Sequence, residues 1–83
     1  KHVGTFAEMG CFSFQASKNL NSGEGGAVLF REQTMADRAY GFHNNSRTKT
    51  QPGEVFRYGM RGANLRLTEF QGALLLAQMS RLE

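Results

Sequence analysis

A lysine-bearing loop between two short strand-forming runs constrains this chain more than any other feature. The aromatic run Cys11-Phe12-Ser13-Phe14 and the apolar run Ala27-Val28-Leu29-Phe30 are joined by residues 15–26, which are mostly polar or glycine. Aromatic and β-branched residues favour strands. The alternation in Cys11–Phe14 is imperfect, which predicts a largely buried strand. The connection is too short for a helical crossover, so the two strands are antiparallel neighbours or next but one in a sheet. Asn19, Asn21 and Ser22 are turn formers. Gly23-Glu24-Gly25-Gly26 closes the loop, and its glycines let the backbone approach another group closely. Lys18 is the one cation of the loop. The stretch as a whole suits a bound cofactor that carries a carbonyl and a phosphate.

Each residue of that stretch has a plain reading beside the chemical one. A lysine amine forms a Schiff base with an aldehyde once its surroundings lower its pKa, and a position just after a buried strand supplies such surroundings. Lys18 also fits a solvated loop lysine. Ser13 can donate its hydroxyl to a phosphate oxygen, or simply fill a strand. The glycine cluster matches neither Gly-x-x-x-x-Gly-Lys-Ser/Thr nor Gly-x-Gly-x-x-Gly, and reads equally as a tight turn. Asn64 precedes Arg66-Leu67-Thr68 at the entrance to a helix, where an amide can help hold an anion or act as a turn residue. His2 and His43 lack partners at metal-ligand spacing, and no Ser/His/Asp nucleophile pattern is present.

The remaining elements follow in order. Val3, Thr5 and Phe6 form a brief edge strand or a loop. Thr34 caps a helix with Asp37 three positions on, and Gly41 ends it. Residues 42–61 form a long irregular connection, with a turn at Gln51-Pro52-Gly53. Thr68 and Gln71 form a capping box for a last helix. Leu67, Phe70, Leu74, Ala77 and Met79 or Leu82 recur at helical spacing on it. Leu74, Leu75 and Leu76 are consecutive, which suits a helix buried between its domain and a partner subunit.

Composition narrows the function classes. A chain of 83 residues is one small domain, burying roughly 60% of the surface its unfolded form exposes. A net charge of +3 is too mild for a nucleic-acid arm. Phe56, Arg57, Tyr58, Met60, Arg61 and Arg66 interleave aromatic and basic side chains, yet no nucleic-acid motif accompanies them. The single cysteine, Cys11, excludes an intrachain disulfide and suits a reducing, cytoplasmic setting. No run of about 18 apolar residues offers a membrane span. The first residue is lysine and the apolar period still runs at Leu82-Glu83. We therefore expect a window of a larger enzyme.

Four motifs in order resemble one family. Ser13-Phe14-x-x-x-Lys18 followed by Gly23-Glu24-Gly25-Gly26 is similar to the lysine motif of the DegT/DnrJ/EryC1/StrS family, pyridoxal phosphate (PLP)-dependent sugar aminotransferases. Val3-Gly4-Thr5-Phe6 resembles its lead-in, and Gly62-Ala63-Asn64-Leu65-Arg66-Leu67-Thr68 resembles its helix entrance. Gln78-Met79-x-x-Leu82 resembles its trailing motif. The chain departs from the pattern at Ala7-Glu8, usually Gly-Asp, and at Gly72, commonly alanine.

The resemblance implies an α/β fold, with residues 1–83 as part of the large domain of a fold-type-I PLP-dependent transferase: mixed-sheet strands, a long loop and a C-terminal helix. It implies that Lys18 forms the Schiff base with PLP and serves as acid and base for the proton shift between the substrate Cα and the cofactor C4′. Ser13 would bind the PLP phosphate, and Asn64 the phosphate held by the neighbouring subunit of a homodimer. Lysine at position 18, where dehydratase relatives carry histidine, implies transamination, from glutamate or glutamine to a keto-sugar, nucleotide-linked keto-sugar or cyclitol. The family's pyridinium-binding aspartate and ring-stacking residue would lie before Lys1, so the isolated 83 residues are expected to be inactive. The alternative is a non-catalytic relative serving as an oligomerisation module through the last helix.

Overall fold

The computed structural model describes residues 1–48 and 60–82. They divide into two units, one of residues 1–29 with 67–83 and one of residues 30–66. The expected turn at Gln51-Pro52-Gly53 and the side chains Phe56, Arg57 and Tyr58 lie outside the described residues.

In the first unit the chain starts with a turn. The Thr5 N–H donates to the His2 carbonyl at 3.2 Å and the Thr5 hydroxyl donates to the same oxygen at 2.6 Å. This is neither of the strand residues that Val3, Thr5 and Phe6 offered; the loop reading holds. β1 (Met9–Ser13) and β2 (Gly26–Phe30) are hydrogen-bonded neighbours in a two-stranded sheet. The Phe14 N–H donates to the Gly25 carbonyl at 2.8 Å. That bond joins the exit of β1 to the entry of β2, so the strands run antiparallel and the next-but-one arrangement is excluded. β1 starts two residues earlier than expected, and Phe14 belongs to the loop mouth.

The expectation of a buried first strand is overturned. Met9, Cys11, Phe12 and Ser13 are all exposed. Two strands and one short helix do not carry enough side-chain surface to cover both faces of a sheet.

α2 (Glu69–Met79) completes this unit. Thr68 and Gln71 form the expected capping box: the Gln71 N–H donates to Thr68 Oγ1 at 3.1 Å and the Thr68 N–H donates to Gln71 Oε1 at 2.9 Å. The helix stops at Met79, short of the expected run to Leu82. The Ser80 hydroxyl donates to the Ala77 carbonyl at 2.7 Å and the Arg81 N–H to the Gln78 carbonyl at 3.0 Å, tightening the last turn. The buried side is also not the expected one. Leu75 is 8% exposed, whereas Phe70 is 85% exposed and Leu76 71%. Gln71, Leu75 and Gln78, at i, i+4 and i+7, share the inward face, because two long amides there reach loop backbone.

The second unit is built on α1 (Gln33–His43). Glu32, not Thr34, is its N-cap, without a side-chain capping bond. Asp37 accepts from Gln33 Nε2 at 2.8 Å within the helix rather than closing a box. Gly41 does not end the helix. It is buried inside it, and a Cβ there would meet Met60 Cε at 3.4 Å and Thr48 Cγ2 at 3.7 Å. Its backbone is not left-handed, and a methyl group there would sit at ordinary contact distance, so neither a stop nor crowding requires glycine at this position.

The helix ends at the C-cap Asn44, followed by Asn45 (φ 54°) and Ser46 (φ 63°), two consecutive left-handed residues. They turn the chain alongside residues 62–65. The Ala63 N–H donates to the Phe42 carbonyl (2.9 Å), the Asn45 N–H to the Ala63 carbonyl (3.1 Å) and the Leu65 N–H to the His43 carbonyl (2.8 Å). Asn44 and Asn64 form an antiparallel bridge. The stretch expected to be irregular is therefore helical to His43 and paired at Asn44.

Candidate functional site

Lys18 sits on the loop between β1 and β2, and three layers of contact shape that loop. Its mouth is closed by backbone: Phe14 N–H to Gly25 carbonyl, and Ser22 N–H to Phe14 carbonyl at 2.9 Å. Its tip is shaped by local turns. The Lys18 N–H donates to the Gln15 carbonyl at 2.9 Å. Gln15 Oε1 accepts from the Ser17 N–H at 3.0 Å and the Ser17 hydroxyl at 2.5 Å. Asn21 Nδ2 donates to the Lys18 carbonyl at 3.0 Å, and Asn21 Oδ1 accepts from the Gly23 N–H at 3.3 Å, the self-bonding expected of a turn asparagine.

The third layer comes from α2. The Asn21 N–H donates to Gln78 Oε1 at 2.9 Å. Gln71 Nε2 donates to the Glu24 carbonyl at 3.0 Å, an oxygen that also accepts from the buried Ser22 hydroxyl at 2.8 Å. Gly25, at φ 145°, lies where a Cβ would come within 2.8 Å of Leu67 Cδ1 and 2.9 Å of Ser22 Oγ. The glycine cluster thus lets the loop's return limb lie against the entrance of α2.

The sequence-derived site residues fall as follows. Ser13 ends β1, and its Oγ accepts from the Gln15 N–H at 3.2 Å. The oxygen is engaged while the O–H has no acceptor among the described residues, so it is available to donate. Lys18 is exposed, and among the described residues its ammonium has no partner. Asn64 belongs to the second unit. Its Oδ1 accepts from the Arg66 N–H at 3.3 Å, and Arg66 Nη1 donates to Asn44 Oδ1 at 2.7 Å. A strand-end hydroxyl and a free primary amine on one loop supply a donor for an anion and a nucleophile for a carbonyl. The reading of Glu24 and its glycines as shapers of the lysine loop acquires contacts in the Glu24 carbonyl and Gly25. Sequence reasoning gave no role to Gln78 and only a capping role to Gln71. The polar-apolar-polar stripe Gln71–Leu75–Gln78 is the signal that points to them. Among the described residues no group of three His, Cys, Asp or Glu could hold a metal ion, and no helix is long and apolar enough to cross a membrane.

The model of the DegT/DnrJ/EryC1/StrS aminotransferase family matches residues 1–83, the whole chain. This chain belongs to that family. Among DegT/DnrJ/EryC1/StrS relatives, the L-glutamine:2-deoxy-scyllo-inosose aminotransferase of Micromonospora echinospora is 42% identical over 90 residues, covering 100% of this chain and 21% of that protein. The GDP-perosamine synthase of Escherichia coli is 36% identical over 84 residues, covering 98% of this chain and 21% of that protein. Of solved DegT-family folds, Helicobacter pylori PseC, an aminotransferase involved in the biosynthesis of pseudoaminic acid, superposes with a TM-score of 0.85 at 34% identity, over 98% of this chain and 22% of its own. The fold is therefore the α/β fold of these aminotransferases over the matched segment. The chain spans about a fifth of the length of the curated DegT-family relatives it matches.

Proposed function

We propose that these residues are part of the PLP-binding large domain of an aminotransferase that moves an amino group from an amino acid to a keto-sugar or keto-cyclitol. The observation that carries this reading is Lys18 itself: an unpartnered primary amine on a loop held at its mouth, at its tip and by α2. The donor set suits PLP, with an amine for its aldehyde and the Ser13 hydroxyl for its phosphate. Asn64 is assigned to the phosphate held by a second subunit of a homodimer. Its Nδ2 has no acceptor among the described residues, so the amide is available to donate.

When bound, PLP supplies an electron sink that stabilises negative charge at the substrate Cα. Lys18 would hold the cofactor through its aldehyde and would carry the proton from the substrate Cα to the cofactor. Ser13 and Asn64 orient through the phosphate. The names of two relatives, one for L-glutamine and 2-deoxy-scyllo-inosose and one for UDP-N-acetyl-3-dehydro-alpha-D-glucosamine, support glutamine as donor, with a cyclitol or nucleotide-linked keto-sugar as acceptor. The exposed Phe70 and Leu76 side of α2 supports a subunit contact, and the lone cysteine supports a cytoplasmic enzyme.

The test is borohydride reduction of the full-length protein with PLP, followed by peptide mapping. The label is expected on Lys18; a label on another lysine, or none, overturns the proposal.

A further inference from the structure

Gln71 and Gln78 stand two helical turns apart on one face of α2, with the buried Leu75 between them. They grip the return limb of the lysine loop at its two ends. Gln78 uses only its oxygen, accepting the Asn21 N–H. Gln71 uses both ends of its amide: the oxygen accepts the Thr68 N–H and the nitrogen donates to the Glu24 carbonyl. From Asn21 the restraint passes on, because Asn21 Nδ2 holds the Lys18 carbonyl. The path from helix to lysine is two hydrogen bonds and one residue long.

We propose that Gln71 and Gln78 are positioning residues for Lys18, fixing its loop on α2 so that the amine is held for its reaction. This rests on the reading of Lys18 given above. The different use of the two amides gives an asymmetry that simple packing does not. Gln78→Glu keeps an acceptor oxygen and preserves the contact. Gln71→Glu keeps the capping box, since glutamate serves there as well as glutamine, but removes the donor and sets a carboxylate against the Glu24 carbonyl.

The experiment uses the full-length enzyme and two readouts, amide hydrogen exchange of the cofactor-free protein and steady-state kinetics with PLP. In Gln78→Met the Asn21 amide loses its acceptor directly. The informative amides are Lys18 and Ser22, which bond within the loop and not to Gln78. They are expected to exchange at least about tenfold faster, while β1 amides stay unchanged. The value of kcat is expected to fall about tenfold or more with the KM for the amino donor within about twofold, the pattern of a misplaced catalytic group. Gln78→Glu is expected to restore both readouts, and Gln71→Glu to lose both. If Lys18 and Ser22 exchange at the native rate in Gln78→Met, or if the two glutamate variants behave alike, the inference fails. The glutamate pair decides the matter even if Gln78→Met does not fold. A failed borohydride label on Lys18 sinks the catalytic reading instead, whereas a labelled Lys18 with native exchange sinks only the positioning.

Discussion

The Gly25 α-carbon lies against Leu67: a methyl group added to it would come within 2.8 Å of Leu67 Cδ1. The backbone φ of 145° requires glycine there, and an added methyl group would also push aside the side-chain ends of Leu67 and Ser22. Gly25→Ala is predicted to destabilise the full-length protein by about 2 kcal/mol. Leu67→Ala in the same background should recover only the steric part, because the backbone strain remains. A denaturation midpoint unchanged in the single variant would refute the close approach.

Lys18 has a different profile. Its side chain touches no partner among the described residues, and the turn around it uses only its backbone N–H and carbonyl. Lys18→Ala is predicted to leave stability within about 0.5 kcal/mol while activity falls on the order of a thousandfold or more. Activity retained within tenfold, with no loss of the borohydride-reducible chromophore, would refute the assignment.

Thr68 closes the N-terminus of α2 and Gln71 answers it. Thr68→Ala removes the acceptor of the Gln71 N–H and is predicted to cost about 1 kcal/mol. Thr68→Ser keeps the oxygen and should cost less than half of that. Equal losses for the two variants, read from chemical denaturation, would show that the methyl group matters and the cap does not.

Leu75 is the one buried large apolar side chain among the described residues. Leu75→Ala is predicted to cost about 2–4 kcal/mol through lost burial and the cavity left behind. Because Leu75 lies between Gln71 and Gln78, the variant should also speed exchange at Asn21. A cost under about 1 kcal/mol would mean that the amides, and not the leucine, hold α2 to the loop.

What could be read from the sequence was local in the chain. The Thr68–Gln71 capping box spans three residues and depends on nothing else. A connection too short to cross over left two arrangements of the strands, and the Phe14–Gly25 bond decides for the hairpin. The fold class followed from four motifs in order, each a short run. What could not be read was set at long range. Gly41 has the chemistry of a helix stop, but its φ is not positive, and the helix ends instead where Asn45 and Ser46 turn left-handed and pair the chain with residues 62–65. The spacing of Leu67, Phe70 and Leu74 marks an apolar side of α2 correctly. It does not say that the adjoining side, with two glutamines, faces the loop. The Gln78–Asn21 bond joins residues 57 apart, beyond the reach of any pattern in either segment. The cover of the strands was misjudged for a related reason: hydrophobicity marks a face that can be buried, not whether a layer is there to bury it.

The Gln78–Asn21 contact also orders events in time. A hairpin closing over twelve residues forms on a microsecond scale, whereas the contact across 57 residues must first close a much longer loop. On a ribosome, β1, Lys18 and β2 emerge well before residue 78 does. The growing chain therefore carries the Lys18 amine on a hairpin that lacks its outer restraint. The full set of loop contacts around the lysine is complete only when α2 docks.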